Sequence, residues 1–354
     1  MNISRIKSRS TRIPSAFLLF VWLFWGARAL EAQNAPPQDS AAQHPLEAKT
    51  ELVKLDVTVL DSSGNFVGGL TQDKFRVLDN GTERPIVFFT PVEAPARVVV
   101  LLETSPAVYL VQDEHVAAAY LLLQGLAQDD EVALVTYAEA PRQLVPFTTD
   151  KGALLQALAG NQYMMGMADL NLYDSTAALI DGISPMPGKK AVVLLSTGLD
   201  TSSSEHFDAL VQKLRTQDIV IFAVGLGGSL NAQPDPKDKA AKKAAKLRNA
   251  SNHPGEPSTL EKARDAMREL ATITGGAAYF PEKGGDFGVA YQEIAAALRH
   301  EYVLGIAPQH DGQLHKLSVS VAAAPADPAA KPHKSHALPQ YRVSAREGYV
   351  APQS

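Results

Sequence analysis

The chain has 354 residues, of which 45% are hydrophobic and 20% are charged, and its formal net charge is −5 at pH 7. This composition supports a folded chain of two or three modules and argues against intrinsic disorder. The mildly negative charge argues against nucleic acid as a partner, because phosphate binding needs a basic face, and the absence of cysteine excludes disulfide bonds and thiolate metal sites.

The first 32 residues have the layout of a secretory signal peptide. Arg5, Arg12 and other basic residues precede the apolar run AFLLFVWLFW (16–25), and small residues follow it up to Ala32. The apolar run has about ten residues, which is about half of what a membrane-spanning helix needs. We therefore predict that residues 1–32 are cleaved, that no stable membrane span remains, and that the protein is exported to the periplasm or secreted.

A linker and a small β module are predicted next. Residues 33–48 are polar and contain proline, which is typical of a linker. Apolar residues then alternate with polar ones, as at Leu55 and Val57, and this period predicts a half-buried antiparallel strand. The sequence DNG at residues 79–81 predicts a hairpin turn. Residues 49–95 are therefore predicted to form an N-terminal β module.

Residues 96–300 predict a domain of the α/β class. The apolar runs RVVVLLE, EVALVTY, KKAVVLLS and IVIFAVG alternate with segments of helical periodicity. This alternation predicts a doubly wound, mostly parallel sheet flanked by helices, with its functional loops at the carboxyl ends of the strands. Residues 228–257 lack an apolar stripe and are predicted to be a surface insertion.

The β pattern returns in residues 301–354. The segments LHKLSVSV and YRVSAREGYV have the alternation of strands. Because this C-terminal β module is too small to make a core alone, we expect it to share a sheet with residues 49–95. The α/β domain would then be inserted in a split β module formed by the N- and C-terminal segments.

The order of these segments resembles the von Willebrand factor type A related proteins of the acidobacterial type. The resemblance covers nearly the whole chain after the signal peptide and rests on VVVLLETSPAV, NLYDSTAALIDGI, KKAVVLLSTGLDTS, IVIFAVG, EYVLGIAP and REGYVAP. It implies a sheet that carries a metal-ion-dependent adhesion site at its carboxyl end. In the family pattern an Asp-x-Ser-x-Ser loop, a threonine and a later aspartate hold Mg²⁺, and a carboxylate of the partner completes its coordination.

The resemblance also implies that this metal site is degenerate. It places Glu103 at the first aspartate and Ser105 at the first serine. Ala107, Leu170 and Thr197 take the places of the second serine, the threonine and the last aspartate. Mg²⁺ requires octahedral oxygen ligands at about 2.0–2.1 Å, and methyl or isobutyl groups offer no lone pairs. We therefore expect no metal and no other cofactor at the usual site.

A shifted metal site is the alternative. Asp169 and Asn171 flank Leu170, and Asp200 follows Thr197 by a few residues. Glu103, Ser105, Asp169 and Asp200 would then be the ligands, and flexible carboxylates of this kind suit Ca²⁺ better than Mg²⁺.

Two further features near these loops have structural interpretations. Asp174 lies near the start of a predicted helix, where a carboxylate favours the positive end of the helix dipole. Ser204 or Ser203, just before HFDAL, is predicted to cap the helix that begins there.

The predicted function is protein binding or adhesion by an exported, non-enzymatic module. The residues predicted to form the binding loops are Glu103, Thr104, Ser105, Asp169, Asn171, Ser196, Thr197 and Asp200. One alternative is a structural envelope protein that assembles through exposed strand edges. Another is a hydrolase that uses Glu103 with Asp200 or a nearby histidine, although no activated nucleophile or acid–base pair occurs at a useful spacing.

Overall fold

A computed structural model gives the fold of the chain and describes residues 52–105, 108, 120–161, 169–226, 259–282, 284–322 and 341–353. All of these residues belong to one structural unit, which runs from residue 50 to residue 354. The predicted signal peptide, linker and surface insertion, residues 1–32, 33–48 and 228–257, lie outside the described residues.

The described residues form strands and helices along their whole length. The strands are β1 (Val53–Leu60), β2 (Phe75–Asp79), β3 (Thr82–Arg84), β4 (Phe88–Glu93), β5 (Ala96–Glu103), β6 (Glu131–Tyr137), β7 (Pro141–Thr148), β8 (Lys189–Ser196), β9 (Val220–Gly225), β10 (Ala278–Tyr279), β11 (His300–Ile306), β12 (Leu314–Val321), β13 (Arg342–Ser344) and β14 (Gly348–Val350). The helices are α1 (Lys151–Ala159), α2 (Leu172–Ile183), α3 (Phe207–Arg215), α4 (Thr259–Ile273) and α5 (Gly284–Arg299). Residues 120–125 are also helical. In this part of the chain no helix is long and apolar enough to cross a membrane.

The central sheet has the strand order β10-β9-β8-β5-β6-β7. The strands from β10 to β6 are parallel, and β7 pairs antiparallel with β6 at the edge. β5 and β8 are buried along almost their whole length, which is why their sequences are continuous apolar runs. This sheet and its helices confirm the predicted α/β fold class.

Helices cover both faces of the central sheet. On one face α1, α5 and residues 120–125 pack on alternate strand residues such as Val98, Val100 and Leu102. On the other face α2, α3 and α4 pack on the residues between them, such as Val99 and Leu101. Because each buried valine or leucine contributes about 1.5–3 kcal/mol, these two cores fix the positions of the strand ends.

The N- and C-terminal strands form two antiparallel sheets, in the orders β13-β1-β11-β4 and β14-β12-β2-β3. β1 pairs with β11 and β13, and β2 pairs with β12, so strands from both ends of the chain lie in each sheet. A common core that includes Leu55, Val77, Tyr302 and Leu317 lies between them. The two sheets therefore form a sandwich, as expected from a split β module. The predicted domain boundaries themselves stay predictions.

Candidate functional site

The carboxylate of Glu103 is the centre of a buried hydrogen-bond cluster at the carboxyl ends of β5, β6 and β8. Glu103 is the last residue of β5 and is 0% exposed. Its Oε1 accepts a hydrogen bond from Ser105 Oγ at 2.5 Å. Its Oε2 accepts from the Thr197 backbone N–H at 2.6 Å and from Ser196 Oγ at 3.0 Å. The Thr197 hydroxyl lies 2.8 Å from Oε2 and 3.1 Å from Oε1.

Tyr137 connects β6 to this cluster. Its hydroxyl lies 2.6 Å from Ser196 Oγ and 3.3 Å from Glu103 Oε2. Burial, and then the charge of Glu103, raises the pKa of Tyr137 well above its usual value, so the phenol keeps its proton. Ser196 Oγ also accepts the Gly198 backbone N–H at 2.8 Å. The phenol can therefore donate to Ser196 while Ser196 donates to the carboxylate.

The cluster holds three strand ends together by hydrogen bonds. All the partners that the described residues give the Glu103 carboxylate are hydroxyl or backbone N–H donors. A hydrogen bond to a charged group contributes about 1.5–3 kcal/mol, whereas a buried carboxylate without partners costs several kcal/mol. The fully hydrogen-bonded arrangement is thus the one in which a buried glutamate is tolerated here.

Two aspartates attach the loop after β8 to the start of α2. Asp200 Oδ1 accepts the Tyr173 backbone N–H at 3.1 Å and the Ser203 hydroxyl at 2.5 Å. Asp174 accepts the backbone N–H groups of residues 204–205 at 2.9 and 2.7 Å. These two hydrogen bonds hold the pKa of Asp174 below its usual value. Asp174 lies in the first turn of α2, as predicted.

The predicted capping role of Ser203 and Ser204 is wrong. α3 begins at Phe207, and the residue at its N-cap is His206, which makes no side-chain capping bond. The Ser203 hydroxyl is used elsewhere, because it donates to Asp200 and accepts the Asp174 backbone N–H at 3.1 Å. The serine run therefore serves the loop after β8 and not the helix that follows.

The residues before α2 also attach to the loops on either side. Leu170 and Thr201 exchange two hydrogen bonds: the Thr201 N–H donates to Leu170 O at 2.8 Å, and the Leu170 N–H donates to Thr201 Oγ1 at 2.7 Å. Asn171 Nδ2 donates to the Glu139 carbonyl at 2.8 Å, and Ser202 donates to Asn171 Oδ1. We call the surface formed by residues 138–140, 169–171 and 199–204 the upper face.

The structure separates the predicted site residues into a buried group and an outer group. The buried cluster contains Glu103, Ser105, Ser196 and Thr197. Thr104 is also buried, and its hydroxyl donates to the Tyr137 carbonyl at 3.1 Å. In the outer group, Asn171 and Asp200 take part in the loop contacts around the start of α2, and Asp169 is exposed.

Sequence reasoning did not find Tyr137 or the role of Ser203. The signal for Tyr137 was available, because it ends the apolar run EVALVTY and the carboxyl ends of parallel strands meet at one edge of a sheet. Ser203 carried no comparable signal, since one of its two partners, Asp174, lies 29 residues away in the chain.

The residues of the buried cluster do not fit Mg²⁺. Both carboxylate oxygens of Glu103 are engaged by hydrogen-bond donors, and the Thr197 hydroxyl faces that carboxylate. Leu170, at the position of the family's threonine, is 6% exposed and has no lone pair to offer. Ala107, at the position of the second serine, lies outside the described residues.

In the shifted site, Glu103, Ser105 and Asp200 are engaged in other hydrogen bonds, and Asp169 is exposed. Both oxygens of Asp200 accept hydrogen bonds, Oδ1 from Tyr173 and Ser203 and Oδ2 from the Ser203 N–H at 3.3 Å. Within the described ranges, no group of three or more histidine, aspartate or glutamate side chains has a geometry that could hold a metal ion.

A cavity of about 660 Å³ opens beside the cluster, between the ends of β5 and β6, β7 and α1. Its lining includes Thr104, Tyr137, Glu139, Arg142 and Asn161. The cavity therefore carries both charged and neutral polar groups next to the upper face.

The fold is that of a doubly wound α/β domain whose polar loops meet at one end of the sheet. The family model of the von Willebrand factor type A domain matches residues 98–274, half of the 354-residue chain. The chain therefore belongs to the von Willebrand factor type A domain family. No curated protein sequence matches this chain.

Several solved structures are similar to this chain at low sequence identity. An aerotolerance-related membrane protein from Bacteroides fragilis is 14% identical over 57% of this chain and 98% of that chain, with a TM-score of 0.43. A von Willebrand factor type A protein from Catenulispora acidiphila is 11% identical over 78% of this chain and 72% of that chain, with a TM-score of 0.42. Proximal thread matrix protein 1 from the mussel byssus is 10% identical over 60% of this chain and 49% of that chain, with a TM-score of 0.41. At these scores the similarities carry no argument about what this chain binds.

Proposed function

We propose that this chain is an exported, non-enzymatic protein that binds another protein through the upper face of its type A domain without a metal ion. The observation that carries the proposal is the Glu103 cluster. It ties the ends of β5, β6 and β8 together with hydrogen bonds, so the loops are held in place without an ion.

The chemistry of the upper face supports a protein partner. Its exposed residues include Glu139, Asp169, Thr201 and Ser202, which offer hydrogen-bond donors and acceptors of the kind that protein interfaces use. Hydrogen bonds already hold the loop after β8 against the start of α2. Binding a partner would therefore cost less conformational entropy in this loop. The cavity beside Arg142 offers a place for a side chain of the partner.

The positions of the two acids also support a non-enzymatic role. The hydrolase alternative needs Glu103 or Asp200 to reach a substrate, because a general acid or base must lie within hydrogen-bond distance of the reacting group. Glu103 is 0% exposed, and the oxygens of Asp200 accept hydrogen bonds from its own domain. The export part of the proposal rests on the signal-like layout of residues 1–32.

The proposal is tested by partner capture on the purified protein, with an extract of the source organism's cell envelope. We expect capture to be equal in Mg²⁺ and in excess EDTA, and isothermal titration with Mg²⁺ or Ca²⁺ to show no saturable binding. Ser202→Arg places a long cation on the upper face and should weaken capture by about tenfold or more.

Gln212→Arg is the matched control, because Gln212 is exposed on α3, away from the upper face. It should leave capture unchanged. Capture that disappears in EDTA, or tight metal binding that is lost in Glu103→Ala, would show that the site uses an ion after all. Equal loss of capture in both arginine variants would remove the upper face as the binding surface.

A further inference from the structure

His315 lies between two aspartates in the sheet formed by β14, β12, β2 and β3. Its Nδ1 is 2.6 Å from Asp79 Oδ1, and its Nε2 is 3.1 Å from both carboxylate oxygens of Asp311. The side chains of His315 and Asp79 are 8% and 3% exposed. Both ring nitrogens therefore face a carboxylate, and one of these carboxylates is shielded from water.

This geometry favours a protonated ring. A neutral imidazole has one N–H and one lone pair, whereas the imidazolium has two N–H donors. In the neutral state of His315, a lone pair would point at the carboxylate of either Asp79 or Asp311. Only the charged ring satisfies both contacts at the distances observed.

The other groups around the ring do not replace either aspartate. From β14, the Tyr349 ring packs 5.2 Å from the His315 ring, and its hydroxyl lies 3.3 Å from Asp79 Oδ2. From the turn after β2, Asn80 Nδ2 lies 3.3 Å from His315 Nδ1. Burial raises the pKa of Tyr349, and the charge of Arg84 on β3 opposes this rise.

We propose that the protonated side chain of His315 holds this sheet together and releases it as the pH rises. We call His315 and its contacts with Asp79, Asp311 and Tyr349 the lock. The protonated ring joins the end of β2, the residues before β12 and the strand β14, and loss of its proton loosens all three contacts. The lock connects the N-terminal strands to the C-terminal strands, because Asp79 and His315 are 236 residues apart in the chain. It is independent of the upper face and of the proposed binding function.

The direction of the pH effect follows from the surroundings of the ring. Burial disfavours the charged ring, but the hydrogen bonds to Asp79 and Asp311 and the charges of these groups outweigh it and raise the pKa of His315 above its usual value. The stabilisation is therefore complete below the usual histidine pKa of about 6.5 and is lost as the pH rises through the higher pKa of the folded state.

Two hydrogen bonds donated by backbone amides next to the lock can report its state. The Lys316 N–H donates to Asn80 Oδ1 at 2.9 Å, and the Asn80 N–H donates to Lys316 O at 2.8 Å. Loosening of the contacts of His315 should expose both amides to exchange, while amides of the central strand β8 stay protected.

The experiment is an NMR titration of the histidine side chains in the protein, with His315 assigned by His315→Gln. We expect the pKa of His315 to lie above the usual histidine value of about 6.5. Asp311→Asn should lower the pKa of His315, because it removes one of the two facing charges. His206→Gln is the control and should leave the pKa of His315 unchanged.

Amide exchange provides a measurement that needs no variant. Corrected for intrinsic rates, exchange at Asn80 and Lys316 should accelerate about tenfold or more relative to Val193 in β8 between pH 6 and pH 9. A His315 that titrates at or below the usual histidine value of about 6.5, or is unaffected by Asp311→Asn, would overturn the proposal. Exchange at Asn80 and Lys316 that keeps the same ratio to Val193 over this range would overturn it independently.

Discussion

The length of one side chain decides how the ends of the strands are joined. Glu103 is one methylene longer than the aspartate of the family pattern, and its carboxylate contacts Ser196 and Thr197 at the end of β8 directly. The same carboxylate stays in contact with Ser105 in its own loop. Hydrogen bonds between protein groups thus connect the ends of β5 and β8.

Glu103→Gln tests this interpretation at the scale of one residue. Glutamine keeps the shape of the side chain but places an NH₂ group where a carboxylate oxygen accepts hydrogen bonds from Ser105 or Thr197. Opposite the Thr197 N–H a donor would then face a donor, and opposite Ser105 the hydroxyl would have to turn and give up the hydrogen bond that it donates. We expect the free energy of unfolding to fall by about 2–4 kcal/mol, measured by urea denaturation.

The matched control is Glu139→Gln, since Glu139 is an exposed glutamate on the neighbouring loop. Its effect should stay within about 0.5 kcal/mol. An unfolding midpoint of Glu103→Gln equal to that of the unchanged protein would mean that the carboxylate does not hold the strand ends together.

At the scale of elements, a glycine sets how closely α4 and β10 approach β9. The Cβ of an alanine at position 276 would lie 1.9 Å from the carbonyl oxygen of Ile221 in β9. The adjoining Thr274 hydroxyl accepts the Ile221 N–H at 2.9 Å, so this contact also aligns the edge of the sheet. Gly276→Ala must displace the backbone at residue 276 or at Ile221. It should lower the free energy of unfolding by about 2–4 kcal/mol, measured by thermal or urea denaturation.

Gly182 provides the opposite case in the same protein. It lies in α2, and an added Cβ would meet nothing within 4 Å. Gly182→Ala should raise the free energy of unfolding by about 0.5–1 kcal/mol, because alanine favours helix more than glycine does. If both substitutions had the same sign and size, close packing at residue 276 would not be the cause.

The elements that could be predicted from the sequence are those whose burial requires a long run of apolar residues. β5, β6, β8 and β9 are covered on both faces, and each is a continuous apolar run. β7 was not predicted, because its sequence PRQLVPFT has two prolines and no regular period. An edge strand tolerates proline, since one side of its backbone has no partner strand.

The candidate site could be located from the sequence, but its hydrogen bonds could not. Polar residues after apolar strands place Glu103 and Thr197 at one edge of the sheet. Their contact depends on the register of β5 against β8, in which Leu102 pairs with Leu195, and on the full burial of a glutamate. Glutamate is almost never fully buried, so no sequence pattern would indicate it.

At the scale of the whole molecule, ionised groups lie between the sandwich and the type A domain. Lys189 in β8 and Glu301 in β11 form a buried ion pair at 2.7 Å. Asp56 on β1 lies in the same region, where burial, and then the charge of Glu301, raises its pKa to about 6. Lys54 lies 3.0 Å from Asp56 and partly offsets these two effects. Above pH 6 the Asp56 carboxylate is therefore charged, and its contact with Lys54 does not fully offset its burial and the nearby charge of Glu301.

Asp56→Asn should stabilise the protein at neutral and alkaline pH. Because the folded state binds the proton of Asp56 more tightly than the unfolded chain does, stability is lost as the pH rises from about 4 to about 6. The amide removes this loss, and we expect about 1–2 kcal/mol of added stability at pH 8 after allowing for the weakened Lys54 contact. Thermal denaturation from pH 4 to pH 8 should show the two curves separating between about pH 4 and pH 6 and keeping that separation at higher pH, with Asp129→Asn, at an exposed aspartate, as the control. Curves that stay parallel for Asp56→Asn as well would place the pH sensitivity of the junction outside Asp56.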